Sequence, residues 1–213
     1  RAAWDELTAP GAPFAMSEIE VRGVPIRTYD SAPPTMRSLW ELASFHGDKT
    51  YLVYEDERYS YGEVDAQVRA LAHLLTTEHG VGRGDRVALA MRNYPEWVVG
   101  YWATISIGAA VVGMNAWWTS PEIEYGLSDS RPKVLIADDE RLERTLPVLD
   151  AVRAGGPLHV IAVRSERELP VDSSHWADVV RGSDAPAALP AVEIDTDAAA
   201  TIFYTSGTTG FPK

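Results

Sequence analysis

The residues of this 213-residue chain best suited to chemistry are Thr205, Ser206, Gly207, Thr208, Thr209, Gly210, Phe211, Pro212 and Lys213 at its end. Four hydroxyls stand beside two glycines, and glycine permits positive φ and close approach of the backbone to a ligand. Hydroxyls and amides can then converge on phosphate oxygens, with Lys213 adding a mobile positive charge. Each charge-assisted hydrogen bond of this kind is worth roughly 1.5 to 3 kcal/mol, so a few hold a triphosphate. A Walker loop instead sets four residues between its first glycine and a Gly-Lys-Ser/Thr triplet. Here Pro212 stands directly before the lysine, which speaks against a mononucleotide-kinase or GTPase loop.

Such a loop needs a strand to deliver it, and the uncharged apolar run from Ala198 to Tyr204 supplies one. Upstream, strand-length and helix-length patterns alternate. Thr50 to Tyr54 and Arg58 to Ser60 flank the charged turn Glu55-Asp56-Glu57 and predict a hairpin. Ser60 followed by Glu63 predicts a capping box opening a helix to about Glu78, with Val64, Val68, Leu71, Ala72 and Leu75 on its apolar face. Val87 to Met91 reads as a strand, and then Asn93 as a cap and Pro95 as the first turn of a helix to about Ile107. A strand near Ala109 to Met114, a helix from Ser120 to Ser130, a strand at Val134 to Ala137, a helix from Asp139 to Ala154 broken by Pro147, and a strand at His159 to Val163 complete the series. This grammar predicts an α/β fold, a mostly parallel sheet flanked by helices and buried on both faces.

The expected organisation is an extended lead-in over 1–36, an α/β subdomain over 37–163, a linker or mobile loop over 164–197, and a strand plus phosphate loop over 198–213. Within the second part, Leu39, Leu42, Ala43 and His46 predict a short amphipathic helix. The last strand is expected to open a second, incomplete subdomain with its own sheet.

Phe203 to Lys213 resembles, position by position, the signature of the adenylate-forming superfamily: acyl-CoA synthetases, adenylation domains of nonribosomal peptide synthetases, and luciferases. Tyr59-Ser60-Tyr61-Gly62-Glu63-Val64 and Ile107 to Asn115 resemble two further motifs of that family in the expected order, so the similarity spans most of residues 35 to 213. The resemblance implies the amino-terminal part of the large domain of such an enzyme, most like the bacterial fatty-acyl-CoA synthetases. It implies two-step chemistry with ATP, Mg²⁺, a carboxylic acid of the fatty type and coenzyme A. By the family pattern Thr205, Ser206, Gly207, Thr208, Thr209 and Gly210 cradle the phosphates, Lys213 is the charged clamp, and Thr205 also helps hold magnesium. The family's remaining active-site groups lie beyond residue 213, so no catalytic residue is assigned here. The chain is expected to need the carboxy-terminal part of the same protein, and to be inactive alone. Alternatives are an adenylation module that loads a carrier protein, an acyl-AMP ligase, and, from a different class, a non-catalytic interaction module.

The net charge of -12 and sequence pI of about 4.8 oppose a nucleic-acid partner. No cysteine is present, which excludes disulfides and thiolate metal sites and suits a cytoplasmic protein. Trp97 to Pro121 carries no charge, yet Gly100, Gly108, Gly113 and Asn115 interrupt it, so it predicts a helix and a buried strand in place of a membrane span. Peripheral membrane contact stays open. Asp138-Asp139-Glu140 reads as an acidic helix start and not a metal cluster. His46, His73, His79, His159 and His175 show no ligand spacing, and Trp97, Trp102, Trp117 and Trp118 are expected in the core before an acyl tunnel.

Overall fold

The computed structural model describes residues 2–205; Ser206 to Lys213, most of the expected phosphate loop, lie outside the described residues. The chain opens with helix α1 (Ala2–Leu7) and an antiparallel hairpin of β1 (Met16–Val21) and β2 (Val24–Tyr29), turned at Arg22 and Gly23 with positive φ. The extended lead-in expected over 1–36 is therefore corrected. The hairpin shows most of both faces to solvent and has no half-buried alternation to betray it. Pro25 fits because a two-stranded ribbon consists only of edges.

Helix α2 (Met36–Ser44) is capped by Thr35, whose hydroxyl accepts from the Ser38 amide. Its buried residue is Trp40, while Leu39 and Leu42 are exposed, so the apolar face lies one position away from the expected one. Trp40 turns inward because it stacks on Trp102 at 5.0 Å and donates from Nε1 to Asp65 at 3.1 Å. β3 (Thr50–Tyr54) and β4 (Glu57–Ser60) form the expected hairpin. Helix α3 (Tyr61–Thr77) begins with the reciprocal Ser60 and Glu63 capping box and buries all five residues of its predicted face.

β5 (Arg86–Ala90), α4 (Pro95–Ser106), β6 (Ala110–Gly113), α5 (Ser120–Ser130), β7 (Val134–Asp138), α6 (Asp139–Thr145), α7 (Leu149–Ala154) and β8 (His159–Val163) follow in strict alternation apart from the helix break. That break is a 3₁₀ turn at Leu146–Val148 containing Pro147. The cap of α4 is Tyr94 and not Asn93, and it makes no side-chain cap bond, with Pro95 in the first turn. α5 starts with a second capping box, Thr119 and Glu122. β9 (Ser173–His175), α8 (Trp176–Val179) and β10 (Thr201–Phe203) complete the described elements.

The strands assemble as one parallel sheet in the order β10-β6-β5-β7-β8-β9. Alternate residues serve two cores. Val87, Leu89, Val111, Ile136 and Ile161 face a cluster with α3 and α4, whereas Ala88, Ala90, Val112, Leu135, Ala137 and Val160 face one that includes residues of α5, α6 and α7. The expected second sheet is corrected: β10 pairs with β6, setting Thr201 beside Val111 and Phe203 beside Gly113. The stretch 164–197 adds β9 to the sheet and then runs beside α2 and α3. There Arg69 donates to the Pro186 carbonyl, His73 bonds that of Ala188 at 2.9 Å, and Arg37 donates to that of Pro190 at 2.7 Å.

At the amino-terminal end of β8 the His79 and His159 rings stack at 4.1 Å. Burial lowers both imidazole pKa values; for His159 the nearby His79 adds to it, and the value falls to about 4. The unfolded chain takes up protons near pH 6.5, which the folded one refuses until lower pH. This contribution to stability is thus full above about pH 7 and is lost as pH falls from about 6.5 toward 4. The carboxylates with depressed values, such as Glu57 at about 2, act below that window. We expect the urea midpoint to drop between pH 7 and 5, and His159→Phe to flatten that slope. An unchanged slope in the variant would assign the loss to other groups.

Candidate functional site

Parallel strands send all their carboxyl ends to one edge, and in open α/β sheets ligands bind there, where the strand order reverses. In this sheet β5 leads to β6 on one side, and β6 leads back past β5 to β7 on the other. The reversal leaves a cleft of about 440 Å³ lined by Tyr54, Met91, Arg92, Asn93, Tyr94, Ala116, Trp117 and Arg141. β10, paired in register with β6, carries Tyr204 and Thr205 out at the same edge. Of the expected phosphate contacts Thr205 is placed there, exposed, while Ser206, Gly207, Thr208, Thr209, Gly210 and Lys213 lie outside the described residues.

One buried ion pair ties the strand ends together. Asp138 caps α6 by accepting from the Arg141 amide at 3.0 Å, and its other oxygen accepts from the Arg92 amide at 3.0 Å. The Arg141 guanidinium, with its side chain 2% exposed, reaches Asp138 at 3.1 Å and Glu140 at 2.9 Å. It also donates to the Ala116 carbonyl from Nε at 2.8 Å and from Nη2 at 2.7 Å. The loops after β5, β6 and β7 therefore share one charged bolt. The Arg92 guanidinium lies 5.3 Å from the Trp117 ring centre, leaving a cationic and aromatic wall on the cleft. Sequence reasoning foresaw Asp138 as a helix start and missed Arg92 and Arg141, whose partners come from other strands.

A second clamp stands at the cleft's side. Arg164 bonds Glu57 at 2.8 Å and Glu96 at 2.9 Å and lies about 5 Å from the Tyr54 and Tyr94 rings. The Arg164 hydrogen bond, helped by that from Tyr59, holds the Glu57 carboxyl at about 2. Strand β8 is thereby tied to the first hairpin of the α/β unit and to α4.

The strand end that leads to Thr205 is held as well. Tyr204 donates from its hydroxyl to Asp129 at 2.6 Å and reaches the Gly126 carbonyl at 3.3 Å. Its ring meets Trp118 edge-on at 5.4 Å and Tyr125 at 6.4 Å. Burial and the Asp129 carboxylate push the Tyr204 phenol up to about 12. Gly126 allows this packing, since a Cβ there would stand 2.6 Å from the Trp118 ring.

The four expected core tryptophans do not form one group. Trp97 stacks on Tyr101 and Trp102 on Trp40 at one core, Trp118 is buried in the other, and Trp117 is 71% exposed beside the cleft. Among the described residues no group of three or more His, Asp or Glu could hold a metal ion. These residues do not by themselves build a magnesium site, and Thr205 alone is a poor match to a hard cation's demand for several oxygens. Among them also no helix is long and apolar enough to cross a membrane.

A parallel sheet with helices on both faces and a cleft at its reversal point defines an open α/β domain of the doubly wound kind. The chain belongs to the AMP-binding enzyme family, whose profile matches residues 39–213. It is 31% identical over 188 residues to the crotonobetaine/carnitine–CoA ligase of Salmonella heidelberg, covering 84% of this chain and 35% of that protein. It is 36% identical over 162 residues to the long-chain-fatty-acid–CoA ligase FadD13 of Mycobacterium tuberculosis, covering 74% of this chain and 29% of that one. The fold matches the anthranilate CoA ligase AuaEII in complex with anthranoyl-AMP with a TM-score of 0.66 at 27% identity, over 84% of this chain and 33% of that one. The chain thus spans about a third of the length of the curated relatives it matches.

Proposed function

We propose that the complete protein is an ATP-dependent acyl-CoA synthetase to which this chain contributes the phosphate grip. A carboxylate oxygen attacks the α-phosphorus of ATP, the bond to pyrophosphate breaks, and an acyl-adenylate forms. The sulfur of coenzyme A then attacks the acyl carbonyl, its proton is lost, and AMP leaves with the electron pair of the cleaved bond. In the first step negative charge builds on the departing pyrophosphate. The hydroxyls and amides of Thr205 to Gly210 and the ammonium of Lys213 stabilise that charge where it develops. Magnesium, when bound, would supply counter-charge to the same phosphates, and Thr205 is proposed as one of several groups that would hold it.

The family match running through Lys213 carries this reading, because it includes the whole loop that β10 leads into. Fatty acids are proposed as the substrate class on the likeness to FadD13. The test is acid-dependent ATP–pyrophosphate exchange by the complete protein across a panel of carboxylic acids, followed by AMP release with and without coenzyme A. Exchange with fatty acids and AMP release that requires coenzyme A are expected. Exchange without thioester formation would identify an acyl-AMP ligase or a carrier-protein loading module, and no exchange would leave a non-catalytic module. This chain by itself is proposed to give background exchange, since it is about a third of the relatives' length. Turnover above a loop-deleted control would refute that.

A further inference from the structure

We propose that Tyr204, anchored by Asp129, is a positioning residue that aims the phosphate loop; the proposal rests on the functional reading above. The loop follows a strand of three residues at the edge of the sheet, hydrogen-bonded on one side to β6. Beyond that pairing, Tyr204 makes the side-chain contacts that fix the strand's carboxyl end to α5. Its hydroxyl binds a carboxylate at 2.6 Å, the length of a charge-assisted hydrogen bond, and its ring is set edge-on to Trp118 and Tyr125.

The anchor is itself fixed. Tyr125, Gly126 and Asp129 belong to α5, which starts at the Thr119 and Glu122 capping box and is followed by Arg131 in the left-handed region. Trp118 is 6% exposed and belongs to the core cluster that includes Ile123 and Leu127. A rigid path thus runs from the core through α5 to Tyr204, one residue before Thr205. A misplacement of about 1 Å at such a position can cost up to 10²-fold in rate. Asp129 is exposed, so removing the phenol hydroxyl leaves no buried charge stranded. The substitution therefore tests aim separately from stability.

The experiment measures ATP–pyrophosphate exchange with the complete enzyme and its variants Tyr204→Phe, Asp129→Ala, Asp129→Asn and the Tyr204→Phe/Asp129→Ala pair, with Tm recorded for each. A tenfold loss in rate corresponds to about 1.4 kcal/mol added to the activation free energy by poorer aim. Tyr204→Phe and Asp129→Ala should each lower kcat/KM for ATP about tenfold, with the KM for the carboxylic acid and the Tm unchanged. The pair should be no worse than either single variant, and Asp129→Asn, whose amide oxygen still accepts, should restore most of the loss. Wild-type values in Tyr204→Phe, or a lowered Tm with unchanged kinetics, would overturn the proposal while leaving the functional reading intact. Absence of exchange in the unmodified enzyme would overturn both.

Discussion

Replacing Lys213 by alanine in the complete enzyme is expected to lower acid-dependent ATP–pyrophosphate exchange by roughly 10²-fold or more, and Thr208→Ala by at least about tenfold. Developing charge is the cause. As the α-phosphorus bond breaks, the β and γ oxygens gain negative charge, and a donor aimed there helps the transition state more than bound ATP. Lysine acts as a point charge on phosphate, so Lys213→Arg should recover part of the loss and Lys213→Met almost none. The effect should fall on kcat as well as on KM for ATP. Kinetics within twofold of wild type for Lys213→Ala would remove the loop from the chemistry.

The largest expected effect on stability comes from Asp138→Ala, which should destabilise the fold by about 3 to 5 kcal/mol, the usual cost of removing one partner of a buried pair. Arg141 is 1% exposed, and Asp138 supplies its buried carboxylate, the cap of α6 and the acceptor for the Arg92 amide. Glu140 also contacts the guanidinium but sits nearer to water, so it offsets only part of the loss. Asp138→Asn should cost less, because the amide oxygen can still cap the helix. Urea denaturation of this chain gives both values; a change under about 1 kcal/mol for Asp138→Ala would show that the bolt does not hold the strand ends.

Much of the α/β unit could be read from the residues because its signals are local. The Ser60 and Glu63 box, the five buried apolar residues of α3, the break at Pro147 and the strand His159–Val163 all depend on neighbours in the chain. What escaped depends on partners far away. Leu39 and Leu42 look like the buried face of α2, but Trp40 wins that place by stacking on Trp102, 62 positions on. The hairpin at Met16–Tyr29 shows most of its surface to solvent, so no apolar alternation marks it. Whether β10 starts a new sheet is decided by pairing with β6, about ninety residues earlier, which no local pattern encodes.

The candidate site divides in the same way. The loop Thr205 to Lys213 stands out as a contiguous run of hydroxyls, glycines and a lysine, and the family match contains it. The residues around its approach do not: Asp129, Trp118 and Gly126 meet Tyr204 only because β10 lies beside β6 and α5 follows β6. Arg92, Asp138 and Arg141 likewise converge through the strand order.

The most direct measurement is a crystal structure of the complete protein with a non-hydrolysable ATP analogue. The triphosphate should lie at the carboxyl edge of the sheet, its β and γ oxygens within hydrogen-bond distance of the Thr205 to Gly210 donors and the Lys213 ammonium. A triphosphate bound elsewhere, with those residues turned to solvent, would contradict the account.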